Sequence, residues 1–249
     1  MTAGVGTDLW FRNYAPAPDA STRLVCLPHA GGSASFYLPV ARALSPGIDV
    51  IAAQYPGRQD RRSEPCLPSV ADLADALVDA LIPWCDRPVA LFGHSLGAIV
   101  GFEVARRLES HEDVELLRLF ASGRRAPLTV RDELVHQRDD DGVLAELKAL
   151  NGTDASVLGD EEIMRMALPA IRSDYRAAEL YRHDGGAPVR CPITVLVGDD
   201  DPRTSLEEAR CWGRVTAAGI DQHVFTGGHF YLIDHAAEVL EIIRDQLRG

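Results

Sequence analysis

The chain has 249 residues, 46% of them apolar and 25% charged, enough to bury a sizeable core in one large domain or in a domain carrying an insertion. Its 25 basic and 37 acidic residues leave a net charge of −12, which disfavours nucleic acid and anionic membranes as partners. Five scattered cysteines without CxxC spacing argue against a disulfide framework or a zinc site; with no leader-like start and no run of about 18 apolar residues, a cytoplasmic enzyme is expected.

Short apolar, β-branched segments at 23–27, 49–53, 89–92, 116–121, 193–197 and 222–225 read as buried strands. Helical patterns lie between and after them, at 35–44, 69–84, 96–108, 205–217 and 236–247. This alternation predicts an α/β fold with a mainly parallel central sheet flanked by helices. It stops between about Arg124 and His183. There Ile163, Met166, Ala167, Ala170, Ile171, Tyr175 and Ala178 follow helical spacing, and Pro169 is expected to kink the helix. The expected division is a core of 1–123 and 184–249, with 124–183 inserted as a helical lid.

The segment VALFGHSLGAIVGFEVARRL joins a strand, the pentapeptide Gly93-His94-Ser95-Leu96-Gly97 and an amphipathic helix. A serine on such a turn projects its Oγ away from the sheet at the cost of a strained backbone. Glycines two residues to either side leave room for the neighbouring strand and helix. The following helix aims its positive dipole end at developing negative charge. Ser95 is therefore the candidate nucleophile of an α/β-hydrolase fold, and His94 is read as structural.

A serine hydroxyl needs a histidine base held by a carboxylate, and in this fold the chain order is Ser, acid, His. Among the histidines, His229 alone follows a strand directly and sits on a glycine-rich loop, Thr226-Gly227-Gly228-His229. The acid should end a strand between the lid and His229, where Gly198-Asp199-Asp200-Asp201-Pro202 offers three aspartates that spacing does not separate. Two backbone N–H donors are needed for the oxyanion. Leu96, after the nucleophile, supplies one; Ala30, in the loop Pro28-His29-Ala30-Gly31-Gly32, is expected to supply the other.

With LPHAGGSASFY at 27–37, QYPGRQDRRSEP at 54–65, FGHSLGA at 92–98, GDDDP at 198–202 and GGHFYL at 227–232, the chain resembles the stand-alone type II thioesterases of polyketide and non-ribosomal peptide biosynthesis. The segments span nearly the whole chain in that family's order. The resemblance implies Ser95 as nucleophile, His229 as base and Asp201 as acid, with Ala30 and Leu96 forming the oxyanion hole. It also implies hydrolysis of stalled or wrongly loaded acyl groups from the phosphopantetheine arm of an acyl or peptidyl carrier protein, with no metal or cofactor. Leu96 stands where many members carry Met, which matters little because only its N–H is used.

Carrier proteins are commonly acidic, so the net charge opposes their approach, and a local arginine patch is expected at the arm's entrance. Arg124, Arg125 and Arg131 are the candidates, followed by Arg58, Arg61 and Arg62. Replacing Arg124 and Arg125 by Ala should then raise KM for acyl-carrier substrates and spare small free thioesters. Other readings are a general carboxylesterase or lipase, a chain-terminating domain (disfavoured because the chain opens at Met1 with no room for a fused carrier domain), and a catalytically silent binding module. A serine rather than an aspartate at the elbow disfavours dehalogenase and epoxide-hydrolase chemistry.

Overall fold

The six apolar segments form strands β2 (Arg23–Leu27), β3 (Asp49–Ala53), β4 (Val89–His94), β5 (Leu116–Ser122), β6 (Ile193–Gly198) and β7 (Ile220–Phe225). The computed structural model describes residues 9–150 and 161–248, with side chains from 164 onward in the second stretch; the Ile163 side chain and the segment 151–160 of the expected lid lie outside what it describes. An additional strand, β1 (Phe11–Arg12), pairs antiparallel with β3 at the sheet edge, and its two residues are too few to show a period. Among the described residues the sheet runs β1-β3-β2-β4-β5-β6-β7, with every pair after the first parallel.

Both faces of the sheet are covered at β2, β3, β4 and β6, which is why these strands read as continuous apolar runs. Along β4, Val89 and Leu91 join one core cluster while Ala90 and Phe92 join the other. The first face is packed by helices α2 (Val70–Leu81) and α3 (Leu96–Leu108), whose buried residues Leu73, Leu77, Ile99 and Phe102 belong to that cluster. Ser69 caps α2 by accepting the Asp72 N–H at 3.1 Å. Helix α1 (Leu38–Leu44) covers the other face.

Between β5 and β6 the chain forms α4 (Asp140–Ala149) and α5 (Glu161–Leu180), which continues through Pro169. Val135, Val143, Leu147, Met164, Leu168 and Ile171 form a third apolar cluster, so this insertion has a small core of its own. After β6 come α6 (Leu206–Arg210), α7 (Tyr231–Asp234) and α8 (Ala236–Leu247), the last lying beside α1. The single helix expected over 205–217 is instead α6 followed by a 3-10 turn, Cys211–Arg214. Among the described residues no helix is long and apolar enough to cross a membrane. The parallel register sets Leu27 beside Gly93, His94 beside Ser122 and Gly198 beside Phe225, so the loops after β2, β4, β5, β6 and β7 leave from one edge.

Candidate active site

Ser95 joins β4 to α3 at φ 54° and ψ −113°, a conformation that costs a non-glycine residue strain and is held by its surroundings. Its N–H donates to the Ser122 carbonyl at 2.9 Å, pinning the elbow to β5. A Cβ on Gly93 would stand 2.0 Å from the Gly97 carbonyl oxygen, and one on Gly97 would stand 2.0 Å from the Leu27 carbonyl oxygen. The two glycines are thus fixed by backbone approaching from the helix and from β2.

His229, on the loop after β7, has Nδ1 at 2.9 and 3.0 Å from the two carboxylate oxygens of Asp201. Both residues are buried. A carboxylate only accepts, so Nδ1 carries the proton and Nε2 is left as the acceptor. The other two aspartates have structural tasks. Asp199 accepts the Gly227 N–H at 2.9 Å, and the Asp200 N–H donates to the Gly227 carbonyl at 3.0 Å. Gly198 lets this loop crossing form, since a Cβ there would meet the Gly227 and Gly228 carbonyls at 2.4 Å.

Ser95, Leu96, Ala30 and His229 line one cavity of about 300 Å³, at the small end for ligand pockets. Leu147, Leu150, Met164, Ala167 and Ile171 of the insertion form its apolar wall. The Gly31 N–H donates to Asp174 at 2.8 Å and the Gly32 N–H to the His29 carbonyl at 2.9 Å. Among the described residues the N–H groups of Ala30 and Leu96 have no protein acceptor.

His94 matches its structural reading. It is fully buried, with Nδ1 2.9 Å from Ser122 Oγ, which in turn lies 2.6 Å from the Tyr231 hydroxyl. Its ring lies 5.0 Å from the His229 ring, so this network packs beside the candidate base. Sequence reasoning passed over Ser122 and Tyr231; GGHFYL contained the second without a clue to its partner. Burial pushes the His94 ring well below its usual pKa, and burial followed by the nearby His229 and Arg58 takes His29 down to about 3.

These depressed values make the fold acid-sensitive. At these two rings the unfolded chain binds more protons between about pH 6.5 and 3, so their contribution to stability falls as pH drops through that window. For His29 alone the loss from pH 6.5 to 5 is about 2 kcal/mol, and His94 adds in the same direction. Urea midpoints should therefore fall from pH 7 to pH 5, less steeply in His94→Gln; midpoints that do not move would contradict this.

The expected arginine patch is not an outer patch. Arg125 is 2% exposed and paired with Glu133 at 3.1 Å, while Arg58 and Arg61 are buried against Asp174 and Glu64. Arg124 forms part of the cavity wall, with Nε closed to solvent and without a hydrogen-bond partner. Burial, reinforced by the neighbouring Arg125, lowers its guanidinium to about 9. Arg131, its side chain 34% exposed, is bound through two nitrogens to Glu208, which leaves Arg62 as the freely exposed member. Charge counted along the chain does not tell which guanidinium the fold will bury.

A mainly parallel sheet with a serine elbow and an Asp–His pair on its loop edge is the architecture of the α/β hydrolases. Residues 22–247 match the model of the thioesterase domain family. The chain is 54% identical over 226 residues to the "Probable cadicidin biosynthesis thioesterase" of Streptomyces griseus, covering 91% of this chain and 62% of that relative's length. It is 49% identical to thioesterase PikA5 of Streptomyces venezuelae, covering 98% of this chain and 87% of that one. Among solved structures, the type II thioesterase BorB from the borrelidin biosynthetic cluster superposes with a TM-score of 0.91 at 50% identity, covering 98% of this chain and 100% of the other. The chain belongs to the thioesterase family and is a hydrolase.

Proposed function

We propose that this thioesterase hydrolyses acyl groups carried on the phosphopantetheine arm of acyl or peptidyl carrier proteins of a polyketide or non-ribosomal peptide synthase, clearing stalled or wrongly loaded arms in the cytoplasm. The observation that carries the catalytic part is the buried Asp201–His229 pair, whose histidine lines the same cavity as Ser95. Ser95 Oγ attacks the thioester carbonyl as His229 Nε2 takes its proton, and Asp201 holds the Nδ1–H side of the ring. The Ala30 and Leu96 N–H groups stabilise the oxyanion. The thiol leaves with the proton from His229. Water, activated by the same nitrogen, then hydrolyses the acyl-enzyme.

In this reading 1–123 and 184–249 are the catalytic core and 124–183 is the lid, whose apolar wall receives the acyl chain. The biosynthetic settings for which the cadicidin and borrelidin relatives are named support the carrier-bound substrate. The test is a hydrolysis panel of acetyl, propionyl and longer acyl groups on a carrier protein, against matched oxygen esters. The carrier-bound thioesters are expected to give a higher kcat/KM than the matched oxygen esters. Preference for oxygen esters, with no gain from the carrier, would instead support a general carboxylesterase.

A further inference from the structure

Asp174 lies on α5, in the insertion, yet it reaches the turn that presents Ala30. Its Oδ2 accepts the Gly31 N–H at 2.8 Å, and its two oxygens accept from Arg58 Nη1 at 2.6 Å and Nη2 at 2.9 Å. Arg58 Nη1 also donates to the Gly32 carbonyl at 3.2 Å. Asp174 is 2% exposed and Arg58 8%. Burial works to lower the Arg58 guanidinium, but the Asp174 carboxylate beside it holds it above its usual value, so the guanidinium stays charged. The turn is therefore gripped on an N–H and on a carbonyl by one solvent-shielded ion pair.

We propose that Asp174 and Arg58 are positioning residues for the oxyanion hole: their ion pair fixes the His29–Gly32 turn so that the Ala30 N–H is offered to the reacting carbonyl. This makes α5 part of the catalytic apparatus as well as a wall of the acyl site, and it rests on the reading of Ala30 as an oxyanion donor. The turn is closed by the Gly32 N–H on the His29 carbonyl, and Gly31 has φ +74°, as the third position of a type II turn requires. Type I and type II turns differ by rotation of the central peptide, here the one joining Ala30 to Gly31. Rotated, that peptide would aim the Ala30 carbonyl at the Asp174 carboxylate in place of the Gly31 N–H, and like partial charges would face each other. The Ala30 N–H lies on the preceding peptide and is placed by the turn as a whole, which Arg58 also holds at the Gly32 carbonyl. Ile171, one turn earlier on α5, packs so close that a Cβ on Gly31 would meet its Cγ1 at 2.7 Å. The helix thus rests directly on the turn whose peptide it holds.

The test measures kcat, KM and Tm on a small propionyl thioester for Asp174→Ala, Asp174→Asn, Ala30→Pro and the double variant Asp174→Ala/Ala30→Pro. Proline suits the second position of the turn and deletes the donor N–H, so Ala30→Pro should lower kcat about 10²- to 10³-fold. Asp174→Ala should lower kcat about 10²-fold with KM little changed. Asp174→Asn keeps a carbonyl acceptor for Gly31 and should recover most of that loss. In the double variant the Asp174 change should add almost nothing, because its target is already gone. The inference is overturned if folded Asp174→Ala keeps its kcat, if Asn rescues nothing, or if the two losses multiply in full. If Asp174→Ala does not fold, Asp174→Leu/Arg58→Met, which removes both buried charges together, replaces it in the same cycle with the same expectations. An unchanged kcat in Ala30→Pro would instead remove Ala30 from the oxyanion hole, and this inference with it.

Discussion

Asp201→Asn is expected to lower kcat for acyl-thioester hydrolysis about 10⁴-fold, with the fold intact. The carboxylate now accepts the Nδ1–H of His229 from 2.9 Å, which leaves Nε2 unprotonated and able to take a proton from Ser95. An amide at 201 can turn its NH₂ toward Nδ1, and the ring then carries its proton on Nε2, where it cannot act as a base. Asp199→Asn should have only a small effect, because an amide oxygen still accepts the Gly227 N–H that Asp199 holds. Asp200→Asn should be nearly silent, since Asp200 joins the loop through its backbone N–H. Steady-state kinetics of the three variants on one small thioester, with circular dichroism to confirm folding, decide the assignment. A larger loss at 199 or 200 would move the acid there.

The second large effect is on stability. Gly97→Ala should cost about 3 kcal/mol, the upper end for overpacking, which lowers the folded-to-unfolded ratio by about two orders of magnitude. The added Cβ would lie 2.0 Å from the Leu27 carbonyl oxygen and 2.9 Å from that of Pro28. Both obstacles are backbone of the same loop entrance, so no side chain can swing aside. Relief requires β2 and α3 to separate, which also displaces Leu96 and the turn at Ala30. Gly47→Ala is the control, since its nearest neighbour would be the Leu44 carbonyl at 3.6 Å, an ordinary contact, and its effect should stay within about 0.5 kcal/mol. Urea midpoints at constant slope measure both. A Gly97→Ala midpoint equal to that of wild type would contradict the close approach.

The strands were readable because both sheet faces are buried, leaving apolar runs such as Leu24 to Leu27 that no helix period explains. β1 was not, since two residues pairing at an edge have no pattern to show. The helix expected over 205–217 ends early for a tertiary reason: Trp212 is fully buried and donates its indole N–H to the Arg124 carbonyl at 2.8 Å. Ser95 and His229 follow from local motifs and chain order. Among the three aspartates, spacing is silent and the family resemblance points to Asp201; in the structure it is Asp201 that binds the His229 ring. Arg58 shows where sequence reasoning stops. Its partner Asp174 is 116 residues away in the chain, and neither the YPGR segment nor the helical pattern of the insertion names the other.

The central claim is that Ser95 carries the acyl group between the carrier arm and water. Mass spectrometry of the Ser95 peptide, quenched during turnover with propionyl-loaded carrier protein, tests it most directly. The account predicts a propionyl adduct on Ser95 in the wild-type enzyme, and in Ser95→Ala neither adduct nor hydrolysis, a loss of about 10⁶-fold in kcat. Undiminished hydrolysis by Ser95→Ala, with no adduct on the wild-type peptide, would contradict it.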